Sequence, residues 1–240
     1  MIAALLRSIV FECVRLPLTV IFSGISLLTF PFKPLTRYRI ITTWSCLIIL
    51  SARLICGIRY RVVGRENLPE EPSIILSKHQ SAWETLAYQE IFPPQVWVLK
   101  KSLLRIPFFG WGLAMMSPIA IDRGAGARAL RQTLEQGRER LKAGWWIVMF
   151  PEGTRIPPGM RGQYHVGGAW LAARIGAKIV PVAHNAGTLW GRDAFIKYPG
   201  TITVSVGPVL EAAGRKPEQL MKEVENWIEQ ESEKLGSARN

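Results

Sequence analysis

From residue 57 onward, short apolar runs alternate with longer stretches whose apolar residues recur every three or four positions. No other feature of this chain restricts its fold as much. IRYRVVG, SIILS, VWVLK, PIAID, WWIVMF, AKIVPVAH and TITVSVG have the length and β-branched content of strands. AWETLAYQE, GARALRQTLEQGRERLKAG and GGAWLAARIGA, which fall between them, have the period of helices. In the second of these, Ala129, Leu130, Thr133, Leu134, Gly137 and Leu141 form one stripe, with Arg and Glu residues opposite. PEQLMKEVENWIEQESEKL, near the C-terminus, reads as a polar amphipathic helix. Strands alternating with helices predict an α/β fold, a layered sheet that is mixed or mostly parallel and flanked by helices. Residues 58 to 240 are expected to form this domain, long enough to bury a sizeable core.

Residues 1 to 57 differ in texture. They hold two uncharged windows, residues 16 to 32 and 40 to 52. A spanning helix needs about 18 to 20 apolar residues. The first window is therefore borderline, with Pro17 and Pro31 inside it, and the second is short. Lys33, Arg37 and Arg39 lie between the windows, and Arg53, Arg59, Arg61 and Arg65 follow the second. Basic flanks mark the cytoplasmic side of membrane segments. Basic charge on both flanks of the second window favours a membrane-associated helical hairpin in one leaflet over two spanning helices. A helix pair packed on the domain is the other alternative. No basic run precedes the first apolar stretch and no small-residue cleavage pattern follows it, so a cleaved signal peptide is not expected.

The formal net charge is +12, yet 48% of residues are hydrophobic. A basic nucleic-acid binder would be more polar and would show an aromatic-basic stripe, which this sequence lacks. The mixture points to an anionic membrane surface. Cys13, Cys46 and Cys56 match no zinc spacing, and nothing after residue 56 can form a disulfide.

Three segments carry groups capable of chemistry. In LSKHQSAWETLA, His79 and Glu84 are five residues apart. On a continuous helix that separation turns them about 140° from one another. They can meet if His79 precedes the helix and Glu84 reaches back from its first turns. The carboxylate would then hold one imidazole nitrogen and leave the other to accept a proton. A structural or solvated pair is the plainer alternative. In FPEGTR, directly after the strand WWIVMF, Gly153 permits close backbone approach and Arg155 offers a fork for a phosphate, unless the segment is an ordinary turn. KKSLLRIPFFGWG, with IDR at 121 to 123, sets Lys100 and Lys101 beside an apolar wall. That combination suits an amphiphile with a phosphate head.

In this order the segments resemble the four sequence blocks of the glycerolipid acyltransferases, particularly the bacterial 1-acyl-glycerol-3-phosphate (lysophosphatidic acid) acyltransferases. HQSAWE matches the first block, KSLLRIPFFG with IDR the second, and FPEGTR the third, while IVPVAH around Pro181 resembles the fourth. The likeness covers roughly residues 57 to 210. Two positions depart from the pattern. The acid after the histidine, usually Asp in the family, is Glu84, and His165 in YHVGGA stands near a position where the family tends to carry lysine. His165 is thereby a candidate anion binder, with a surface or helix-start role as the alternative. His184 and Asn185 are expected to be strand-end structure.

The resemblance implies an enzyme of phospholipid synthesis. It would move a fatty acyl group from a thioester of coenzyme A or acyl carrier protein to the free hydroxyl of lysophosphatidic acid, making phosphatidic acid. His79 would be the general base and Glu84 its orienting partner. Arg155 with Lys101, or Lys100 in its place, would hold the phosphate. Arg123, Gly153 and Thr154 would also border the substrate, and Glu152 would orient Arg155. Backbone N–H groups near Ser81 or Gly153 are candidates for holding the oxyanion. Neither a metal nor a bound cofactor is implied. The expected location is a bacterial inner (cytoplasmic) membrane, with the catalytic domain on the cytoplasmic side. The alternatives are transfer to another acceptor such as glycerol-3-phosphate or an amino-acid lipid, a lipid hydrolase, and a non-enzymatic basic membrane-binding module.

Overall fold

Each of the strand-like runs is a strand: β1 (Ile58–Val63), β2 (Ile74–Ser77), β3 (Gln95–Lys100), β4 (Ile119–Ile121), β5 (Trp146–Met149), β6 (Lys178–His184) and β7 (Gly200–Val206). A two-residue β8 (Leu210–Glu211) is too short for any sequence period to announce. The structure, a computed structural model, describes residues 1–122 and 126–237. The strand order is β1-β7-β6-β2-β5-β3-β4, with β8 beside β6. β6 pairs antiparallel with β7 and β8, and the other pairings are parallel. The sheet is thus mixed and mostly parallel. β2, β3, β4, β5 and β6 run in one direction, so Ser77, Lys100, Ile121, Met149 and His184 end at one edge. In open α/β sheets that carboxyl edge is where ligands bind.

Helices cover both faces: α1 (Ile2–Leu28), α2 (Pro34–Ser51), α3 (Trp83–Ile91), α4 (Phe109–Met115), α5 (Gly126–Lys142), α6 (Gly167–Ile175) and α7 (Pro217–Ser237). Side chains on β2 alternate between faces. Ile75 joins Trp83, Tyr88, Val148 and Val180 in one core, and Ile74 and Leu76 join Leu171, Leu220 and Val224 in the other. Both faces are covered, which is why the central strands read as continuous apolar runs. On α5, Ala129, Thr133 and Gly137 are buried as their stripe requires, but Leu130 is exposed. It is turned about 100° from the inward line through Ala129.

The N-terminal helices exceed their uncharged windows. α1 has 27 residues and passes through Pro17, and α2 continues as a π turn, so that Pro34–Cys56 is a 23-residue helix. Both are long and apolar enough to cross a membrane. The first window stops at Arg15, but α1 runs on through Arg15 and Glu12, whose charges are paired. Glu12 meets Arg15 one turn on at 2.6 Å and accepts a hydrogen bond from Lys197 Nζ at 2.8 Å. Packing does not divide at residue 57 either. Phe11, Ile48 and Cys56 lie in the same core as Trp83 and Val180, and Tyr38 Oη donates to Gln89 Oε1 at 2.6 Å.

Candidate active site

The chain leaves β2 at Ser77 and enters α3 at Trp83, which places His79 before the helix and Glu84 in its first turn. The His79 Nδ1–H donates to Glu84 Oε1 at 2.8 Å. The same oxygen accepts the N–H groups of Gln80 at 2.9 Å and Ser81 at 2.7 Å. Glu84 is fully buried. Burial pushes its carboxyl pKa up, but the hydrogen bonds from His79 and the Ser81 N–H hold it below the ordinary value. The anion therefore fixes the His79 tautomer, leaving Nε2 with a free lone pair. The His79 ring stacks on Phe150, with centroids 3.9 Å apart, and Phe150 stacks in turn near Trp97.

His184 is buried behind this pair. Its Nδ1 accepts the Ala186 N–H at 3.2 Å, so its Nε2–H donates to the Lys78 carbonyl at 2.9 Å. Burial lowers its pKa against the pull of Glu84, which keeps it neutral. Asn185 accepts the Thr203 N–H and donates to the Leu235 carbonyl, tying the end of β6 to β7 and α7.

A cavity of about 280 Å³ opens at His79. Lys100, Gln89 and Arg155 supply its polar wall; Trp97, Leu103, Phe109, Leu113 and Met116 supply much of the rest. Trp44, Phe109, Leu113 and Met116 also line an apolar hollow that runs between α1, α2 and α4. Arg155 is half-buried, with Nη1 3.8 Å from Asp193 Oδ1. Its Nε is buried without a hydrogen-bond partner among the described residues.

The other sequence candidates fall as follows. Lys100 ends β3 on the cleft wall, whereas Lys101 begins the exposed turn that follows and does not line the cleft. Gly153 lines the cleft with φ +66°, a backbone conformation that favours glycine. Thr154 is exposed, and Arg123 lies outside the described residues. Glu152 does not orient Arg155. Its carboxylate accepts the His79 N–H at 2.8 Å and pairs with Lys78 Nζ at 2.8 Å. The N–H groups of Ser81 and Gly153 are already engaged, by Glu84 and by the Phe150 carbonyl at 3.0 Å, so neither is free for an oxyanion in this state. His165 is exposed and borders a neighbouring hollow with Phe150, Gly153 and Gly167. Sequence reasoning missed Lys78, Tyr164 and Glu229, which pack together behind His79. A lysine beside a histidine gives no sign of burial, and Glu229 comes from a distant helix.

A paired His and buried carboxylate, set on a cleft with cations at the carboxyl edge of a mixed sheet, is the arrangement of an enzyme that works by general-base catalysis. The chain belongs to the acyltransferase family, whose profile matches residues 59–185. A 1-acyl-sn-glycerol-3-phosphate acyltransferase from Pseudomonas aeruginosa is 43% identical over 228 residues, covering 93% of this chain and 89% of that one. A Saccharomyces cerevisiae protein of the same name is 36% identical over 149 residues, 57% of this chain and 46% of its own. The crystal structure of the 1-acyl-sn-glycerophosphate (LPA) acyltransferase PlsC from Thermotoga maritima shares the fold, with a TM-score of 0.81, 22% identity, and coverage of 100% of this chain and 98% of that one.

Proposed function

We propose that the chain transfers a fatty acyl group from a thioester donor to the free hydroxyl of lysophosphatidic acid, giving phosphatidic acid. The observation that carries this reading is the 2.8 Å His79–Glu84 contact at the mouth of a cleft that combines Lys100 and Arg155 with an apolar wall. His79 Nε2 takes the proton of the acceptor hydroxyl as its oxygen attacks the thioester carbonyl. The new C–O bond forms, the C–S bond breaks, and the imidazolium, stabilised by Glu84, returns the proton to the leaving thiolate. No acyl-enzyme is needed, because the substrate hydroxyl takes the place of a serine.

Arg155 and Lys100 hold the acceptor phosphate, and Lys101 serves as a second cation at the rim. The donor is acyl-CoA or acyl carrier protein, either of which suits a basic surface. The hairpin of α1 and α2 lies in one leaflet of an anionic membrane, the bacterial inner membrane, with the catalytic domain on its cytoplasmic side. Exposed Leu6, Val10, Ile21, Leu28, Phe30 and Phe32, together with Phe108 just before α4 and Trp111 within it, supply the apolar contact.

Product analysis by mass tests the reaction. The purified chain, given acyl-CoA and lysophosphatidic acid, yields phosphatidic acid and free thiol in equal amounts, and little thiol without the acceptor. Free fatty acid released at the same rate with or without the acceptor would identify a hydrolase instead. Faster transfer to glycerol-3-phosphate or an amino-acid lipid would reassign the acceptor.

A further inference from the structure

Directly behind His79 lies a cluster of ionisable side chains that the transfer chemistry does not use. Lys78 has a side chain only 1% exposed, and its Nζ sits 2.8 Å from Glu152 Oε1 and 2.7 Å from Glu229 Oε1. Nζ also donates to the Met160 carbonyl at 3.3 Å, and Tyr164 Oη donates to the same Glu229 oxygen at 2.7 Å. The end of β2, the loop after β5, the segment leading into α6, and α7 all meet at this ammonium. Burying an ammonium is costly even when it is paired, so its presence at this depth calls for a role.

The geometry suggests one. The second oxygen of Glu152 accepts the His79 N–H at 2.8 Å, and the His79 carbonyl accepts the Ile156 N–H at 2.8 Å. His79 is thus gripped on both sides of its main chain by the segment after β5. We infer that Lys78 is a positioning residue for His79. It holds Glu152 as an anion, Glu152 sets the His79 backbone and with it the imidazole against Glu84, and Glu229 of α7 completes the seat. Burial raises the Glu152 carboxyl pKa against the pull of Lys78. Without the ammonium the carboxyl would lose the partner that favours its charged form, and a neutral carboxyl is a weaker acceptor for the His79 N–H.

The inference rests on His79 acting as the base. It is tested on the full-length chain in lipid vesicles by measuring kcat and KM for the acceptor. Lys78→Met is expected to lower kcat by about 100-fold, the effect of roughly 1 Å of misplacement at a reacting group, with KM changed by less than about twofold. Glu229→Gln should lower kcat in the same way. A cavity of about 390 Å³ borders Lys78 and Glu229, leaving room for a guanidinium, so Lys78→Arg should recover most of the rate. Added to His79→Ala, neither substitution should reduce the residual rate further, because both act through the imidazole. Losses that add to that of His79→Ala, or Lys78→Met folding with wild-type kcat, would overturn the inference. If Lys78→Met does not fold, Glu229→Gln decides: a kcat loss at unchanged KM supports the inference and wild-type kcat overturns it. Failure of the underlying reading shows differently, as activity retained by His79→Ala itself.

Discussion

Glu84 holds three hydrogen bonds on one oxygen, and this is what makes His79 a directed base rather than a free imidazole. Glu84→Gln keeps the shape but removes the charge that stabilises the imidazolium. It should cost kcat by about 100-fold or more, whereas Glu84→Asp, with the charge kept, should retain measurable turnover. The pair was legible in the sequence because the interaction is local: a strand run ends, a helix starts, and five residues separate the groups. The setting of Glu152 was not legible, because Lys78 meets it, and Glu229 meets Lys78, only through the tertiary fold. Which lysine faces the cleft was also undecidable beforehand, since it depends on where β3 ends. Arg155 has a buried Nε without a partner among the described residues, which suits a two-pronged contact to phosphate. Arg155→Lys should weaken the apparent affinity for lysophosphatidic acid by about 1 to 3 kcal/mol and that for the acyl donor by less. Equal losses on an acceptor lacking the phosphate would place the clamp elsewhere.

Among the secondary-structure elements, the strands were read correctly because central strands buried on both faces leave unbroken apolar runs. α4 escaped notice because its seven residues are too few to show a period, and its segment reads as an apolar wall. α1 was underestimated for a different reason: counting stopped at charged residues that the fold pairs with Lys197 and with each other. His184, expected as strand-end structure, also makes β6 sensitive to acid. Its folded pKa lies below the unfolded value of about 6.5, so the unfolded chain binds more protons between the two. The stability it contributes is fully present above that value and is lost as pH falls below it, at up to about 1.4 kcal/mol per pH unit. Chemical denaturation at pH 7.5 and 5.5 should show this loss in the wild type and a smaller one in His184→Gln. An unchanged pH dependence in the variant would assign it to other groups.

At the scale of the whole molecule, the hairpin and the α/β domain share a core even though their compositions change at residue 57. Deleting residues 1 to 57 strips away Phe11, Ile48 and Cys56, so it should lower folding stability as well as membrane association. Stability equal to that of the full chain would mean that these contacts contribute little. Labelling of single cysteines at positions 33 and 65 should report the same, cytoplasmic side of the membrane; opposite sides would replace the one-leaflet hairpin by a spanning one. All of this serves to bring an acceptor hydroxyl to His79 beside a thioester. The most direct test is the turnover of His79→Ala in vesicles with saturating acyl-CoA and lysophosphatidic acid. The account predicts a fall of about 100- to 10,000-fold, with acceptor binding little changed. More than about a tenth of wild-type turnover would contradict it.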